Sequence, residues 1–257
     1  MPIITLTSDW GQKDPYAGAV KGAILSKMPE VNIIDISHMV PAFEIEQAAY
    51  ILKNVYPNFP KGTVHIIGVN TEESEKFAHT IVEVDNQYFI GNDNGIFSLL
   101  FDEKPQRIIE MNIPQDSDHF TFSSRDRFVK AAVHIAKGGL LEELGNPKTS
   151  IIEKILLKPV ADPDVLKGHV IYIDQYENLV TNITEDIFNE VRQGRKFNIM
   201  FRSYEISKIS ESYTDVAPGE IMALFGSNGN LEIAMNQGNA AGLLGLNYKD
   251  MIRIEFN

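Results

Sequence analysis

The stretch of sequence that decides the fold is Ile3-Ile4-Thr5-Leu6-Thr7-Ser8-Asp9-Trp10-Gly11. Its first five residues are apolar or β-branched, which is typical of a buried strand. The residues that follow are polar and lie where this strand ends. Because ligands bind beyond the carboxyl ends of strands in open α/β sheets, the stretch predicts a small-ligand site that includes Ser8 and Asp9.

Strand and helix signals alternate through the first half of the chain, up to residue 157. The predicted strands cover residues 3–7, 31–36, 63–70, 80–84 and 87–90, and the predicted helices cover residues 15–28, 44–56 and 125–137. Asp85-Asn86 reads as the turn of a hairpin. Short apolar strands that alternate with helices predict an α/β domain whose sheet is mostly parallel and covered on both faces.

The composition changes near Pro159. The stretch from Lys158 to Asp164 contains two prolines and is predicted to lie in a linker, residues 158–167, because proline disrupts helices and central strands. Residues 168–257 form the second predicted domain. Its strands are predicted over residues 168–174, 196–201, 205–210, 221–225 and 231–235, and its short helices over residues 185–192 and 240–244. This pattern predicts a small β-barrel or sandwich.

Composition excludes several classes of function. The 257-residue chain carries a formal net charge of −12, which disfavours binding to nucleic acid because phosphate backbones are also negative. It contains no cysteine, so disulfides, thiolate metal sites and a cysteine nucleophile are excluded. No His, Asp and Glu grouping has metal-ligand spacing, so no metal is expected. The N-terminus lacks a signal-peptide pattern and no run reaches the ~20 apolar residues of a membrane span, which favours a cytoplasmic protein.

Other polar clusters also have ordinary structural interpretations. A lone Asp after a strand usually caps a helix or forms a turn. Ser123 and Ser124 could cap the helix predicted to begin at Arg125. His65 and His134 lie within predicted core elements, and their roles are interpreted as structural.

As an ordered set, however, the polar segments resemble one family. They are Thr7-Ser8-Asp9-Trp10-Gly11, Ile34-Asp35-Ile36-Ser37-His38, Asp93-Asn94-Gly95, Phe122-Ser123-Ser124-Arg125-Asp126, Asp174-Gln175-Tyr176-Glu177-Asn178 and Gly226-Ser227-Asn228-Gly229-Asn230. Nearly end to end, the chain resembles the S-adenosylmethionine (SAM) hydroxide adenosyltransferases, whose superfamily also contains the fluorinase and chlorinase enzymes.

The resemblance implies a fold, an assembly and a reaction. The implied fold is a Rossmann-like N-terminal domain followed by a small C-terminal β-barrel. The implied assembly is a homotrimer that binds SAM, or adenosine or a related nucleoside, between one subunit's N-terminal domain and a neighbour's C-terminal domain. The implied reaction is attack of water or hydroxide at the ribose 5′ carbon, which yields adenosine and methionine and uses SAM as substrate with no cofactor.

The resemblance also implies roles for individual residues. Asp9 matches the carboxylate that binds the ribose hydroxyls, and Asp14 and Asp174 match positions that hold the methionine ammonium. Asn178 matches a residue that reads the adenine edge, and Ser227 matches a contact to the methionine carboxylate. The full set of implied substrate contacts is Asp9, Asp14, Phe43, Ser124, Asp174, Asn178, Ser227 and Asn228. Asn228 stands where the halogenases have Arg, so charge pairing to the carboxylate is lost there.

The water-activating triad of the family, Asp, Arg and His, is substituted at every position. Asn70 replaces the Asp, Lys76 (or Phe77, depending on the alignment) replaces the Arg, and Ser123 replaces the His. Neither Asn nor Ser is a base near neutral pH, and general-base catalysis is typically worth about 10²–10⁴-fold in rate. Residues that could take over this role are Glu72, Glu73, His38 and His119.

Three functions, and a purely structural relative that binds no ligand, remain open on this basis. The first is a divergent SAM hydrolase. The second is a catalytically silent protein that binds SAM or adenosine and has lost the triad. The third is a halogenase, which Ser124 favours because the fluorinase has Ser there to hydrogen-bond halide, and which the negative Glu72-Glu73 pair disfavours because it repels halide.

Overall fold

The computed structural model describes residues 1–115 and 120–257, and it is a mixed α/β structure with two sheets. The chain divides into two compact units, Met1–Ile155 and Leu156–Asn257. Each unit has its own sheet, and the first unit has a hydrophobic core on each face of its sheet, while the main core of the second unit is separate from both. Within the described ranges, no helix combines the length and the apolar content that crossing a bilayer requires.

The first unit is built on a seven-stranded sheet with the order β2-β1-β3-β5-β4-β6-β7. Its strands are β1 Ile3–Ser8, β2 Asn32–Ser37, β3 Val64–Gly68, β4 His79–Val84, β5 Gln87–Asn92, β6 Arg107–Met111 and β7 Gly145–Pro147. The strands β2-β1-β3-β5 pair in parallel, whereas β5-β4-β6-β7 pair antiparallel.

The sheet is therefore mixed, and the prediction of a mostly parallel sheet holds only for β2, β1, β3 and β5. The cause is the predicted hairpin between β4 and β5. Asp85 and Asn86 both adopt left-handed backbone conformations, with φ of 54° and 58°. Such a two-residue turn matches the twist of adjacent antiparallel strands.

Helices cover both faces of this sheet. They are α1 Tyr16–Lys27, α2 Ile45–Val55, α3 Ile96–Leu100 and α4 Val129–Ala136, and a π-helical turn, Ser124–Phe128, leads directly into α4. Alternation along β3 separates the two cores, because Ile66 packs in the cluster with α1 and α4 and Ile67 packs in the cluster with α2 and α3. The strands and helices predicted here are present, with ends within two residues of the predicted ones, except that α4 itself starts four residues after the predicted Arg125.

The second unit contains a nine-stranded sheet with the order β12-β11-β16-β9-β10-β15-β14-β13, in which β8 also pairs with β9. The strands are β8 Val160–Asp162, β9 Val165–Ile173, β10 Leu179–Thr184, β11 Phe197–Phe201, β12 Tyr204–Ile206, β13 Ile209–Ser210, β14 Ile221–Phe225, β15 Asn230–Met235 and β16 Met251–Phe256. Helices α5 Glu185–Arg192 and α6 Ala240–Leu244 have the predicted bounds. The sheet wraps around one core in a nearly barrel-shaped arrangement.

This unit differs from the prediction at four segments, of which two, β10 and β16, were not predicted as strands. The stretch predicted as linker contains β8 and the first residues of β9. These two strands pair as a hairpin, with Val160 opposite Lys167 and Asp162 opposite Val165. Proline is compatible with this hairpin because Pro159 precedes β8 and Pro163 lies in the turn. The strand predicted over residues 205–210 is two strands, because β12 pairs with β11 and β13 pairs with β14.

Candidate functional site

A cavity of about 250 Å³ lies in the first unit at the carboxyl ends of β1 and β3. The parallel register places Ser8 beside Gly68, so the residues that follow the two strands emerge next to each other. The residues that line it include Asp9, Trp10, Phe43, Asn70, Glu72 and Ser123. A larger cavity of about 430 Å³ elsewhere in this unit contains none of the residues selected from the sequence.

Asp9 and Phe43 form one wall of the cavity. The Phe43 backbone amide donates a hydrogen bond of 2.9 Å to Asp9 Oδ2, which orients the carboxylate. Phe43 has a left-handed backbone with φ of 67°, which is uncommon for a bulky residue and is often found at functional sites. Its side chain is 71% exposed, so the ring presents an open aromatic face beside an acceptor-only carboxylate.

A polar network lies beneath Asp9. Ser8 Oγ is 2.6 Å from His38 Nδ1, His38 Nε2 is 3.1 Å from Asp35 Oδ1, and Lys21 forms an ion pair with Asp35. Burial raises the pKa of Asp35, but the hydrogen bonds from Lys21 and His38 outweigh burial and lower the pKa below 3.8. His38 does not line the cavity, and its two ring nitrogens face Ser8 and Asp35, so it is poorly placed to replace the missing base.

The loop after β3 also lines the cavity, and it is held by the end of β5 and the turn that follows. The Asn92 side-chain amide donates to the backbone oxygens of Glu72 at 2.7 Å and Asn70 at 3.3 Å. Asn94 Nδ2 donates to the Asn70 oxygen at 3.1 Å. The sequence analysis singled out Asp93-Asn94-Gly95, but it did not reveal that Asn94 and the adjoining Asn92 fix the backbone of this loop.

Two charged side chains of the same loop, Glu73 and Lys76, have partners outside the cavity lining. Glu73 forms an ion pair with Arg127, and its other carboxylate oxygen lies 3.7 Å from His79 Nδ1. Burial lowers the pKa of His79 below 6.5, and its Nε2 donates to the Thr71 oxygen at 2.9 Å. Lys76 is exposed, lies outside the cavity lining and places its Nζ 5.1 Å from the ring centroid of its neighbour Phe77.

The triad positions are thus only partly brought together. Asn70 and Ser123 both line the cavity, whereas Lys76 does not. The helix expected from Arg125 begins instead with the π-helical turn, a feature found frequently at functional sites. Ser124 is 1% exposed and lies outside the lining, and its Oγ has no hydrogen-bond acceptor or donor among residues 1–115 and 120–257.

Two other predicted residues fall elsewhere. Asp14 is exposed in the loop before α1 and does not line the cavity. His119 lies outside the described residues. Within the described parts of the chain, no group of three or more His, Cys, Asp or Glu side chains is arranged to hold a metal ion.

In the second unit, Asp174 and Asn178 close the turn between β9 and β10. Asp174 Oδ1 accepts hydrogen bonds from the backbone amides of Tyr176 at 2.9 Å and Asn178 at 2.8 Å, and Oδ2 accepts from Asn178 Nδ2 at 3.1 Å. Asn178 is buried. These bonds pre-orient both side chains at one position of the sheet.

The turn between β14 and β15 carries Ser227 and Asn228, which are both exposed. Asn228 Oδ1 accepts a hydrogen bond of 3.1 Å from the Asn230 amide. The sequence analysis did not identify Glu232, a buried carboxylate on β15. It accepts a hydrogen bond of 2.6 Å from the Tyr213 hydroxyl. Burial raises the pKa of Glu232, and the negative charge of Asp174 adds to this effect.

Fold and site together define a two-unit α/β protein with an acidic, aromatic-walled cavity for a small ligand at the carboxyl ends of parallel strands. The chain belongs to the SAM hydroxide adenosyltransferase family. The model of that family's N-terminal domain matches residues 4–145, and the model of its C-terminal domain matches residues 168–253.

Individual relatives agree with this assignment. The chain is 32% identical to the (R)-S-adenosyl-L-methionine hydrolase of Methanocaldococcus jannaschii, over 99% of this chain and 96% of that protein. It is 28% identical to the protein of the same name from Thermus thermophilus, over 96% of each. A crystal structure of an uncharacterised conserved protein from Thermotoga maritima superposes with a TM-score of 0.88 at 30% identity, over 98% of this chain and 99% of that one.

Proposed function

We propose that the protein is an enzyme that cleaves SAM by attack of water or hydroxide at the ribose 5′ carbon, with adenosine and L-methionine as products. The observation that carries this proposal is the Asp9 carboxylate, which the Phe43 amide orients in the cavity. A carboxylate accepts hydrogen bonds from two adjacent hydroxyls, as the ribose of SAM offers. The hydrolase relatives over nearly the full chain support the same reaction.

The chemistry demands little of the protein beyond positioning. The sulfonium of SAM is already a good leaving group and needs no acid. The site must hold the ribose, align water opposite the sulfur and exclude other water. The reaction as proposed needs no cofactor, and we propose that it takes place in the cytoplasm.

The proposal includes an assembly in which the two units are a Rossmann-like domain and a barrel. SAM binds between the first unit of one subunit and the second unit of a neighbour in a homotrimer. In this arrangement Asp14 and Asp174 hold the methionine ammonium, Asn178 reads the adenine edge, and Ser227 contacts the methionine carboxylate. The hydrogen bonds from Asn178 to the Asp174 carboxylate support this arrangement, because they fix the two side chains before the ligand binds.

Two alternatives make different predictions. The substitutions Asn70 and Ser123 in the cavity favour a protein that binds SAM or adenosine without turnover. Halogenation is disfavoured, because Ser124 lies outside the lining while the acidic residue Glu72 belongs to it, and its negative charge would repel halide.

The test is to incubate purified protein with SAM and quantify adenosine and methionine by chromatography, with and without fluoride or chloride. Adenosine without 5′-haloadenosine is the expected result. Saturable SAM binding by calorimetry with neither product would identify the silent alternative. A 5′-haloadenosine product would identify the halogenase.

A further inference from the structure

We propose that Glu72 is the water-activating carboxylate of this chain and takes over the role that the family triad has in its relatives. The inference rests on the proposed function. Three observations support it: Glu72 lines the cavity, its backbone is held by hydrogen bonds, and other candidate bases already have partners. The proton balance of the reaction is consistent with this role.

Glu72 lies in the cavity lining together with Asp9, Asn70 and Ser123. A ribose held by Asp9 would therefore share the cavity with five other polar residues, which are Asn70, Thr71, Glu72, Thr121 and Ser123. Four of these, the Asn, the two Thr and the Ser, are not bases near neutral pH. Glu72 is the second carboxylate residue of the lining, besides Asp9.

The backbone of Glu72 is fixed from both sides. Its carbonyl oxygen accepts from Asn92 Nδ2 at 2.7 Å, and the preceding carbonyl, of Thr71, accepts from His79 Nε2 at 2.9 Å. The following residue, Glu73, is tied to Arg127. A base on a loop acts efficiently only when the loop is held, because a displacement of about 1 Å can cost 10²-fold in rate.

The two other candidate bases among the described residues are already engaged. Glu73 is committed to Arg127, and it does not line the cavity. His38 faces Ser8 and Asp35 beneath the cavity. The Glu72 side chain, in contrast, is exposed and makes no hydrogen bond or ion pair within the described parts of the chain.

The reaction balances with Glu72 as the proton acceptor. As the water oxygen forms its bond to the ribose 5′ carbon, the carbon–sulfur bond breaks and its electron pair becomes a lone pair of the methionine thioether. The proton that water loses moves to the Glu72 carboxylate and then to solvent. The net change is SAM plus water to adenosine, methionine and one proton.

The experiment compares Glu72→Gln with the matched variant Glu75→Gln. Glu75 is an exposed carboxylate on the same loop that lies outside the cavity lining. We expect Glu72→Gln to lower kcat for SAM cleavage by about 10²-fold or more, within the usual range for general-base catalysis, and to change the Kd of SAM by less than three-fold. Glu75→Gln should match the wild type in both kcat and Kd.

Three outcomes would overturn the inference in distinguishable ways. Wild-type protein that binds SAM without cleaving it removes the proposed function together with the inference. Turnover by wild type that Glu72→Gln leaves within two-fold removes the inference alone. A Kd for SAM that rises in proportion to the loss of kcat/KM would assign Glu72 to binding the sulfonium cation instead of activating water. Equal unfolding curves in urea would show that Glu72→Gln is folded.

Discussion

The substitution Gly68→Ala tests the packing that shapes the cavity. Gly68 ends β3, and a Cβ placed there would lie 2.3 Å from Cζ2, 2.8 Å from Cε2 and 2.9 Å from Cη2 of the Trp10 indole. Carbon atoms pack without strain at about 3.5–4.0 Å. The indole must therefore move by more than about 1 Å, and it is a rigid ring that also stacks on His38 with centroids 5.7 Å apart.

The expected magnitude follows from this overlap. Overpacking a buried site by one methyl group typically costs about 1–3 kcal/mol, so we expect Gly68→Ala to lose that much unfolding free energy in urea. Because Trp10 follows Asp9 directly, the displaced ring should also shift the carboxylate. We expect adenosine to bind at least ten-fold more weakly by calorimetry.

Gly18→Ala is the matched control. Gly18 lies in α1, and a Cβ there would meet nothing within 4 Å. Alanine is the better helix former by up to about 1 kcal/mol, so this variant should be as stable as wild type or more stable and should bind adenosine equally well. If Gly68→Ala matches wild type in both stability and affinity, the contact between Gly68 and Trp10 does not exist as described.

Three further outcomes are expected. Asp9→Asn should weaken adenosine binding by about 10–150-fold in calorimetry, since a hydrogen bond to a charged group contributes about 1.5–3 kcal/mol; an unchanged Kd would contradict the ribose role. Asn92→Ala should lower the SAM cleavage rate more than the affinity, because it releases the Glu72 carbonyl; equal rates would show that the loop needs no such anchor. Burial lowers the pKa of His65 to about 4, against 6.5 unfolded, so its neutral form stabilises the fold above pH 6.5, and this stability is lost as the pH falls towards 4. Urea titrations should show about 2 kcal/mol less stability from this group at pH 5 than at pH 7, and His65→Gln should lose correspondingly less than wild type over that range.

The first unit was largely predictable because most of its strands and helices have clear signals in their own local sequence. The strand Ile3–Ser8 and the helix Ile45–Val55 follow simple apolar periodicities, and Asp85-Asn86 marks its hairpin. The pairing of the strands was not predicted. β6 contains the buried Ile108 and Ile109, but its sequence does not alternate clearly between apolar and polar residues. Its place beside β4 depends on contacts between residues that are distant in the sequence.

The second unit shows the same limit more strongly. Pro159 and Pro163 indicate interruption of regular structure, yet a strand fits between them because it needs hydrogen bonds only to β9. At the site, the sequence placed polar residues at strand ends but carried no signal for which side chains turn inward. Glu72 and Glu73 are neighbours of the same type, and only the ion pair to Arg127 separates their roles.

The packing of Trp10 has a practical consequence for watching the protein at work. The chain contains one tryptophan, and it stands in the wall of the cavity against the His38 ring. Light absorbed at 295 nm therefore excites a single indole, and its emission reports on this cavity and on no other part of the molecule. Stopped-flow fluorescence with the unlabelled protein would time ligand entry and departure directly.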